Sequence, residues 1–226
     1  MAGFYFCNMP VNKKAYQQLN EELRLMNITL VAVSKTKPVE DILALYDLGH
    51  RDFGENYVQE LVEKAEQLPT DIRWHFIGHL QTNKVKSIVP FVYLIHGVDS
   101  VKLLNEINKQ AEKNSRVIHC LIQVHIAQEE TKFGFDENEL FNLDISQFEN
   151  VKINGLMGMA SLTDDINKIR TEFKHLKTIA EKLKATTPQL QILSMGMSSD
   201  YKIAIEEGSN MVRVGSLLFG ERNYQK

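Results

Sequence analysis

The sequence predicts a (β/α)8 barrel, a parallel sheet closed on itself and wrapped by helices. The first observation is that apolar residues alternate between a strand period and a helix period in regular order along the 226-residue chain. The second is that eight strand–helix units can be counted, which is the number that closes a barrel. The alternative is an open doubly wound sheet. That fold usually has a glycine-rich turn after its first strand, and here the turn reads SKTKP.

An extra helix near residues 11–26 precedes the first four units. Their strands are short β-prone runs bounded by polar turns, at residues 28–34, 52–56, 72–78 and 92–98. The helices between them show apolar residues at helical spacing, at residues 39–50, 57–68, 83–88 and 100–113. Pro38 suits the start of the first of these helices because its fixed backbone angle is compatible with a helical turn.

The last four units continue the same order. Their strands fall at residues 116–126, 151–159, 190–196 and 210–216. Their helices fall at residues 137–148, 164–184 and 199–208, with a short terminal piece at 217–220. Gly208 suits the end of a helix. Because no linker or low-complexity segment interrupts the chain, we predict one barrel domain over residues 1–226.

Composition narrows the class of protein. Lys plus Arg number 26 against 29 Asp plus Glu, and no basic stretch could follow a phosphate backbone, so we expect no nucleic-acid partner. No apolar run approaches the ~20 residues needed to span a bilayer, and the start MAGFYFCNMP lacks a basic signal-peptide region. The two cysteines are Cys7 and Cys120, and Cys120 in its apolar run suggests a reduced core residue. We therefore expect a cytoplasmic protein without membrane contact.

Two turns carry the residues of an anion site. Barrel enzymes often hold phosphate after strands seven and eight. After the predicted seventh strand the chain reads SMGMSSD, with Ser198 and Ser199 directly before a helix. After the eighth it reads RVGS, with Gly215 and Ser216 at the turn. These are either ordinary helix caps or donors that hold a phosphate group.

Lys35 ends the predicted first strand, which closes against the eighth and so lies beside this possible phosphate site. It is either a solvated strand end, a counter-ion, or an amine that forms a Schiff base with pyridoxal phosphate. Arg213 lies two residues before Gly215, on the same face, where it could meet the edge of the cofactor ring. A nearby arginine and a dry pocket would both lower the lysine pKa and favour the reactive neutral amine.

Several long motifs occur in one order: VAVSKTKP, FGENYVQE, HFIGHLQTNK, GLMGMA, SMGMSSDYKIAIEEGSNMVRVGS and LFG. Together they resemble the YggS/PROSC family of pyridoxal phosphate homeostasis proteins over about residues 10–222. The resemblance implies a barrel like the N-terminal domain of alanine racemase, with pyridoxal 5′-phosphate held on Lys35. It also implies that Ser198, Ser199, Gly215 and Ser216 bind the phosphate and that Arg213 faces the pyridine nitrogen.

The motifs contain further candidate residues. The resemblance suggests that Asn56 lies near the cofactor ring, while Met157 and Met195 either line the pocket or belong to the core. His75 and His79 lack the spacing and partners of a zinc site, so we expect no metal. We expect His75 to be a hydrogen-bonded interior residue near the pocket.

Two classes of function remain beside a phosphosugar enzyme on the same fold. One is a monomeric protein that holds pyridoxal phosphate, without catalytic residues, and could deliver it to apo-enzymes. The alternative is a racemase-like enzyme that uses the cofactor. An arginine at the pyridine nitrogen weakens the electron sink that most such catalysis needs. The chain also ends at Lys226, soon after Ser216, without the second domain that supplies a base in racemases. We therefore favour the binding protein.

Overall fold

The computed structural model describes residues 11–127 and 133–220, and in them eight parallel strands close into a barrel. Each strand pairs with the next along the chain, and the eighth pairs with the first, where Thr29 lies opposite Met211 and Ala32 opposite Val214. This closure confirms the predicted (β/α)8 barrel and excludes the open sheet. Cys7 lies outside the described residues.

The strands lie close to their predicted positions. They are β1 Thr29–Val33, β2 Asp52–Glu55, β3 Arg73–Phe76, β4 Leu94–Val98, β5 Ile118–Gln123, β6 Val151–Met157, β7 Ile192–Ser194 and β8 Met211–Val214. The helices are α1 Lys13–Leu25, α2 Val39–Tyr46, α3 Val58–Gln67, α4 Val85–Ile88, α5 Val101–Lys113, α6 Glu137–Phe141, α7 Ile166–Lys184, α8 Tyr201–Glu206 and α9 Ser216–Phe219. Short 3-10 turns cover Thr82–Lys84 and Ile145–Gln147.

One predicted helix is divided into two elements. The segment 137–148 splits into α6 and the 3-10 turn Ile145–Gln147, because the chain breaks at polar residues between them. Asp136 starts α6 with a capping box: its carboxylate accepts from the Glu139 N–H, and the Glu139 side chain accepts from the Asp136 N–H. Asp144 accepts from the Ser146 N–H and so starts the 3-10 turn separately.

The strands have apolar side chains on both faces because helices cover the barrel outside and side chains fill it inside. The small interior cluster consists of Val31, Leu94, Leu121, Met157 and Met211. The larger cluster lies between barrel and helices and includes the fully buried Cys120, as predicted. Each large side chain buried there contributes about 1.5–3 kcal/mol. Within the described residues, no helix is both long and apolar enough to span a bilayer.

Candidate functional site

A cavity of about 420 Å³ opens at the carboxyl ends of the strands, and we call it the upper cavity. Its wall includes Val33 at the end of β1 and Ile77 just beyond β3. It also includes all seven residues that the sequence marks as cofactor-binding: Lys35, Asn56, Ser198, Ser199, Arg213, Gly215 and Ser216. The barrel therefore brings together residues that lie up to 181 positions apart in the chain — Lys35 to Ser216 — because parallel strands all end at the same rim.

The turns after β7 and β8 are joined to each other. The Ser198 hydroxyl accepts a hydrogen bond from the Gly215 N–H at 3.2 Å. The Asp200 carboxylate accepts from the Met197 N–H at 2.5 Å and so fixes the first of these turns. At Gly215 a Cβ atom would lie 3.2 Å from the Val33 carbonyl oxygen, so the second turn lies close against β1. The two turns thus form one continuous wall of hydroxyl and backbone groups.

Gly196 lies two residues beyond the end of β7 and has a backbone angle that only glycine adopts readily. Its φ is +96°, and a Cβ there would lie 2.6 Å from the Ala204 Cβ. The Gly196 carbonyl accepts from the Arg213 N–H at 3.0 Å, which keeps β7 and β8 together up to the rim. The turn that leads to Ser198 and Ser199 therefore depends on this glycine.

Lys35 lies in a tight turn, two residues beyond the end of β1. The Ser34 carbonyl accepts from the Lys37 N–H at 3.0 Å and closes the turn. Thr36, the third residue of the turn, has φ +63°, a position that usually needs glycine or asparagine. For a β-branched residue this conformation costs about 1–3 kcal/mol and persists only where the surroundings impose it. The turn that carries Lys35 is therefore held in place by its neighbours.

Arg213 is buried at the floor of the upper cavity, and three acceptors fix its guanidinium. Its Nη1 donates to the Ser194 carbonyl at 2.9 Å and to the Ser194 Oγ at 2.7 Å. Its Nη2 donates to the Gly158 carbonyl at 3.1 Å. Burial lowers the pKa of Arg213 to about 10, while Asp200 acts in the opposite direction, so the side chain stays cationic at neutral pH. It presents a fixed positive charge to the cavity.

A line of hydrogen bonds continues from Arg213 down the barrel interior. The Ser194 Oγ lies 3.2 Å from His96 Nδ1, and His96 Nε2 lies 2.9 Å from His75 Nδ1. His75 Nε2 lies 3.0 Å from the Asp52 carboxylate at the opposite end. The line therefore joins the upper cavity to the amino ends of the strands.

One arrangement of protons satisfies every member of this line. Burial would raise the pKa of Asp52, but hydrogen bonds from Arg73 and His75 outweigh it and hold the pKa well below its usual range. Ionised Asp52 can only accept, so His75 donates to it and accepts from His96. Burial lowers the pKa of His96 well below its usual value, so that ring is neutral and accepts from Ser194. Every donor then points away from Arg213, and Ser194 Oγ is left to accept from the guanidinium.

A second cavity of about 420 Å³ lies at the amino ends of the strands, and we call it the lower cavity. It is lined by the first residues of several strands, among them Thr29, Asp52 and Arg73, and by His75. His75 is fully buried and hydrogen-bonded, as predicted, but its predicted position near the cofactor pocket is wrong. The His75 side chain faces the barrel interior nearer the amino ends of the strands, and Ile77, two residues later, lines the upper cavity instead.

Both predicted methionines belong to the core. Met157 lies in the interior cluster and Met195 in the cluster between barrel and helices, and neither lines the upper cavity. Met159 and Met197, each two residues further along, line it instead. Leu193 packs outward in β7, whereas Ser194 faces the interior, so alternation turns Met195 away from the cavity.

The remaining sequence candidate, His79, takes part in a surface contact. Its Nδ1 lies 2.9 Å from the Asp99 carboxylate, and its ring stacks on Phe133 with centroids 4.1 Å apart. Within residues 11–127 and 133–220 no group of His, Cys, Asp and Glu side chains could hold a metal ion.

Sequence reasoning missed Lys37 and Leu217, which also line the upper cavity. Lys37 reaches across the rim, and its Nζ donates to the Phe219 carbonyl at 2.6 Å. Its place in the same short turn as Lys35, after the carboxyl end of a strand, is the one signal that could have indicated it. Leu217 carries no comparable signal because it lies in the short helix after β8.

Comparison with known proteins supports the family resemblance. The family model for the alanine racemase N-terminal domain matches residues 13–223. A pyridoxal phosphate homeostasis protein of Aquifex aeolicus is 45% identical over 200 residues, covering 86% of this chain and 87% of the relative. The human protein of the same name is 38% identical over 235 residues, covering 96% of this chain and 86% of the relative.

Solved structures show the same barrel. PipY of Synechococcus elongatus with PLP bound is 36% identical and has a TM-score of 0.82, with 92% of this chain and 99% of that chain covered. PipY without PLP has a TM-score of 0.85. Alanine racemase of Clostridium difficile has a TM-score of 0.75 at 16% identity, with 97% of this chain and 61% of that chain covered, and therefore supports only the fold.

Proposed function

Since the chain belongs to the family of pyridoxal phosphate homeostasis proteins, we propose that it binds pyridoxal 5′-phosphate in the upper cavity, attached covalently through Lys35. The observation that carries the proposal is the convergence of Lys35, Arg213 and the two serine-containing turns on one cavity. When bound, the cofactor supplies an aldehyde, which condenses with a neutral lysine amine and releases water.

Two features of the cavity fit this cofactor. The side-chain oxygen Oδ1 of Asn56 is buried and has no hydrogen-bond partner in the protein, which is costly unless a ligand donates to it. Gly215 lines the cavity and lies so close to Val33 that a Cβ atom would be only 3.2 Å from the Val33 carbonyl oxygen, so a side chain there would be crowded. A polar wall with an unsatisfied acceptor suits a small, phosphorylated, ring-shaped ligand.

Different residues of the upper cavity would contact different parts of the cofactor. Ser198, Ser199 and Ser216 would hold the phosphate through hydroxyl and backbone N–H groups, and Gly215, whose N–H donates to the Ser198 hydroxyl, would hold that serine in place beside it. Arg213 would donate toward the ring nitrogen, and its fixed positive charge opposes protonation there. The same charge favours the neutral amine of Lys35. Asn56 would contact the ring edge.

We propose a binding protein without robust catalytic turnover. The residue that would face the ring nitrogen is the cation Arg213 and not a carboxylic acid. The ring nitrogen would therefore stay unprotonated, and the cofactor would be a weak electron sink. We expect no racemase or transaminase turnover above background with common amino acids. Arg213→Glu would reverse the local charge and should permit slow half-transamination, seen as loss of the visible band when an amino acid is added. Robust turnover by the unmodified protein would instead support a racemase-like enzyme.

The cellular role follows from binding without turnover. We propose that the protein is cytoplasmic and monomeric and that apo-enzymes which need pyridoxal phosphate receive it from this chain. Sedimentation of the loaded protein tests the monomer. Activation of an apo-enzyme by the loaded protein, compared with an equal concentration of free cofactor, tests delivery.

The direct test of binding is an absorbance spectrum after incubation with pyridoxal phosphate. We expect a yellow protein with a band at the edge of the visible range. Lys35→Ala should lose that band yet retain weaker binding through the phosphate turns. Lys37→Ala is the matched control, because Lys37 lines the same cavity and should leave the band in place. A protein that gains no band would refute the proposal.

A further inference from the structure

Helix α3 holds the residues on both sides of Lys35. The Ser34 carbonyl accepts from Lys64 Nζ at 2.8 Å. The Thr36 N–H donates to the Glu60 carboxylate at 2.5 Å. Glu60 and Lys64 are themselves joined at 2.6 Å, one helical turn apart. The two groups that hold the turn therefore support each other.

This contact is anchored in the interior between barrel and helix. The Glu55 Oε1 accepts from Lys64 Nζ at 2.7 Å and from the Ser34 hydroxyl at 2.6 Å. The Glu55 side chain is fully buried, and the Lys64 side chain is only 6% exposed. Charges buried to this degree are retained only when they are paired, and the pairing fixes the geometry of every member.

Side-chain alternation links this buried cluster to Lys35. Val31 fills the barrel interior, and Val33 and Lys35 follow it at spacings of two and line the upper cavity. Ser34 lies between them, so its side chain points outward toward Lys64 and Glu55. Holding Ser34 outward therefore directs Lys35 inward.

We propose that Glu60 and Lys64, supported by Glu55, are positioning residues that hold the turn of residues 34–37 so that the Lys35 amine faces the bound aldehyde. The proposal rests on the proposed function of Lys35. It assigns a role to the otherwise costly left-handed conformation of Thr36, which the bond to Glu60 holds in place. Glu55, Glu60 and Lys64 do not line the upper cavity.

The test uses Glu60→Ala, because Lys64 keeps its pairing with Glu55 in this variant and no buried charge is left alone. Glu60→Gln is the conservative variant, since an amide oxygen can still accept from the Thr36 N–H. Glu66→Ala is the matched control, an exposed glutamate on the same helix. In the cofactor-free proteins, we expect hydrogen exchange at the Thr36 amide to accelerate roughly tenfold or more in Glu60→Ala alone.

A second measurement separates positioning from general damage. Glu60→Ala should lower the affinity for pyridoxal phosphate roughly tenfold in the unmodified background, with most of it restored in Glu60→Gln. In the Lys35→Ala background the same substitution should leave the residual affinity unchanged, because positioning acts only through Lys35.

Equal losses in the two backgrounds, or no loss in either, would overturn the inference. Failure of the proposed function itself looks different: the unmodified protein would then show no visible band, and Lys35→Ala would not change its affinity. Unchanged exchange at the Thr36 amide in Glu60→Ala would also contradict the inference, whatever the cofactor does.

Discussion

The barrel has a cavity of about 420 Å³ at each end, and the two differ in how their polar groups are satisfied. At the lower end, Asp52 receives hydrogen bonds from Arg73 at 2.7 and 2.5 Å and from His75 at 3.0 Å. At the upper end, the buried Oδ1 of Asn56 has no partner in the protein. A cavity whose polar groups are paired serves stability, whereas one with an unsatisfied acceptor is prepared for a ligand.

The two cavities also differ in the elements that line them. The lower cavity is lined largely by regular strand residues, such as Thr29 and Leu94. The upper cavity is lined mainly by turn residues, and its Lys35 adjoins the left-handed Thr36, while the lower wall contains one left-handed residue of its own, Asn27. Neither cavity volume nor left-handed backbone therefore distinguishes the two ends, whereas the unsatisfied Asn56 acceptor does.

The largest expected effect is on cofactor affinity at the upper end. Ser198→Ala combined with Ser216→Ala should weaken binding of pyridoxal phosphate roughly a hundredfold or more, because each lost charge-assisted hydrogen bond contributes about 1.5–3 kcal/mol. Equilibrium dialysis measures this. Thr29→Ala at the lower cavity is the control and should change affinity less than about twofold. Unchanged affinity in the double variant would mean that the phosphate binds elsewhere.

The next effect is on stability at the lower end. Asp52→Ala leaves Arg73 and His75 without their shared acceptor and should lower the free energy of unfolding by about 2–4 kcal/mol near pH 7. Cofactor affinity should change less than about threefold, since Arg213 keeps its bonds to Ser194 and Gly158. Urea unfolding and dialysis measure the two quantities.

Acid should remove the difference in stability between the unmodified protein and Asp52→Ala. The pKa of Asp52 is lower in the folded protein than in the unfolded chain, so its contribution is present above the unfolded pKa of about 3.9 and is lost as the pH falls below it. Asp71→Ala is the control, because Asp71 forms a more exposed pair with Arg51 and its loss should lower the free energy of unfolding much less. A large loss of cofactor affinity in Asp52→Ala would show that the two ends are not separable.

The smallest effect has the opposite dependence on pH. Burial raises the pKa of Glu55 to about 7, while Lys64 lowers it less strongly. Folding therefore takes up a proton at Glu55 between the unfolded pKa of about 4.3 and 7. Relative to Glu55→Gln, the unmodified protein should lose roughly 2 kcal/mol of stability between pH 5 and pH 8. A stability difference between the two proteins that stays constant over this range would contradict the account.

The sequence predicts the barrel well because every unit repeats the same alternation of periods, and the eighth strand closes against the first. It also predicts which residues meet at the upper cavity, because the ends of parallel strands share one rim. The position of a residue along its strand, relative to the cavity, is harder to predict. His75 and Met157 face the barrel interior, but they lie nearer the amino ends of the strands than the residues that line the upper cavity. Alternation predicts which face a side chain lies on, and it does not predict which residue of the strand reaches the cavity.

Interactions between distant side chains are harder still to predict. Neither the line from Arg213 to Asp52 nor the contact of Glu60 with the Thr36 N–H has a sequence pattern of its own. Each joins polar residues that would be read singly as solvated or capping groups. Only the closed barrel brings them within hydrogen-bond distance, so they become visible with the structure.

Whether Lys35 carries the cofactor is tested most directly by borohydride reduction of the protein after incubation with pyridoxal phosphate, followed by peptide mapping. Reduction makes the covalent attachment permanent and marks the lysine that carries it. We expect one modified peptide, which contains Lys35, and no comparable modification at Lys37 or at the buried Lys64. Predominant labelling of any other lysine, or no labelling at all, would contradict the assignment of the upper cavity as the cofactor site.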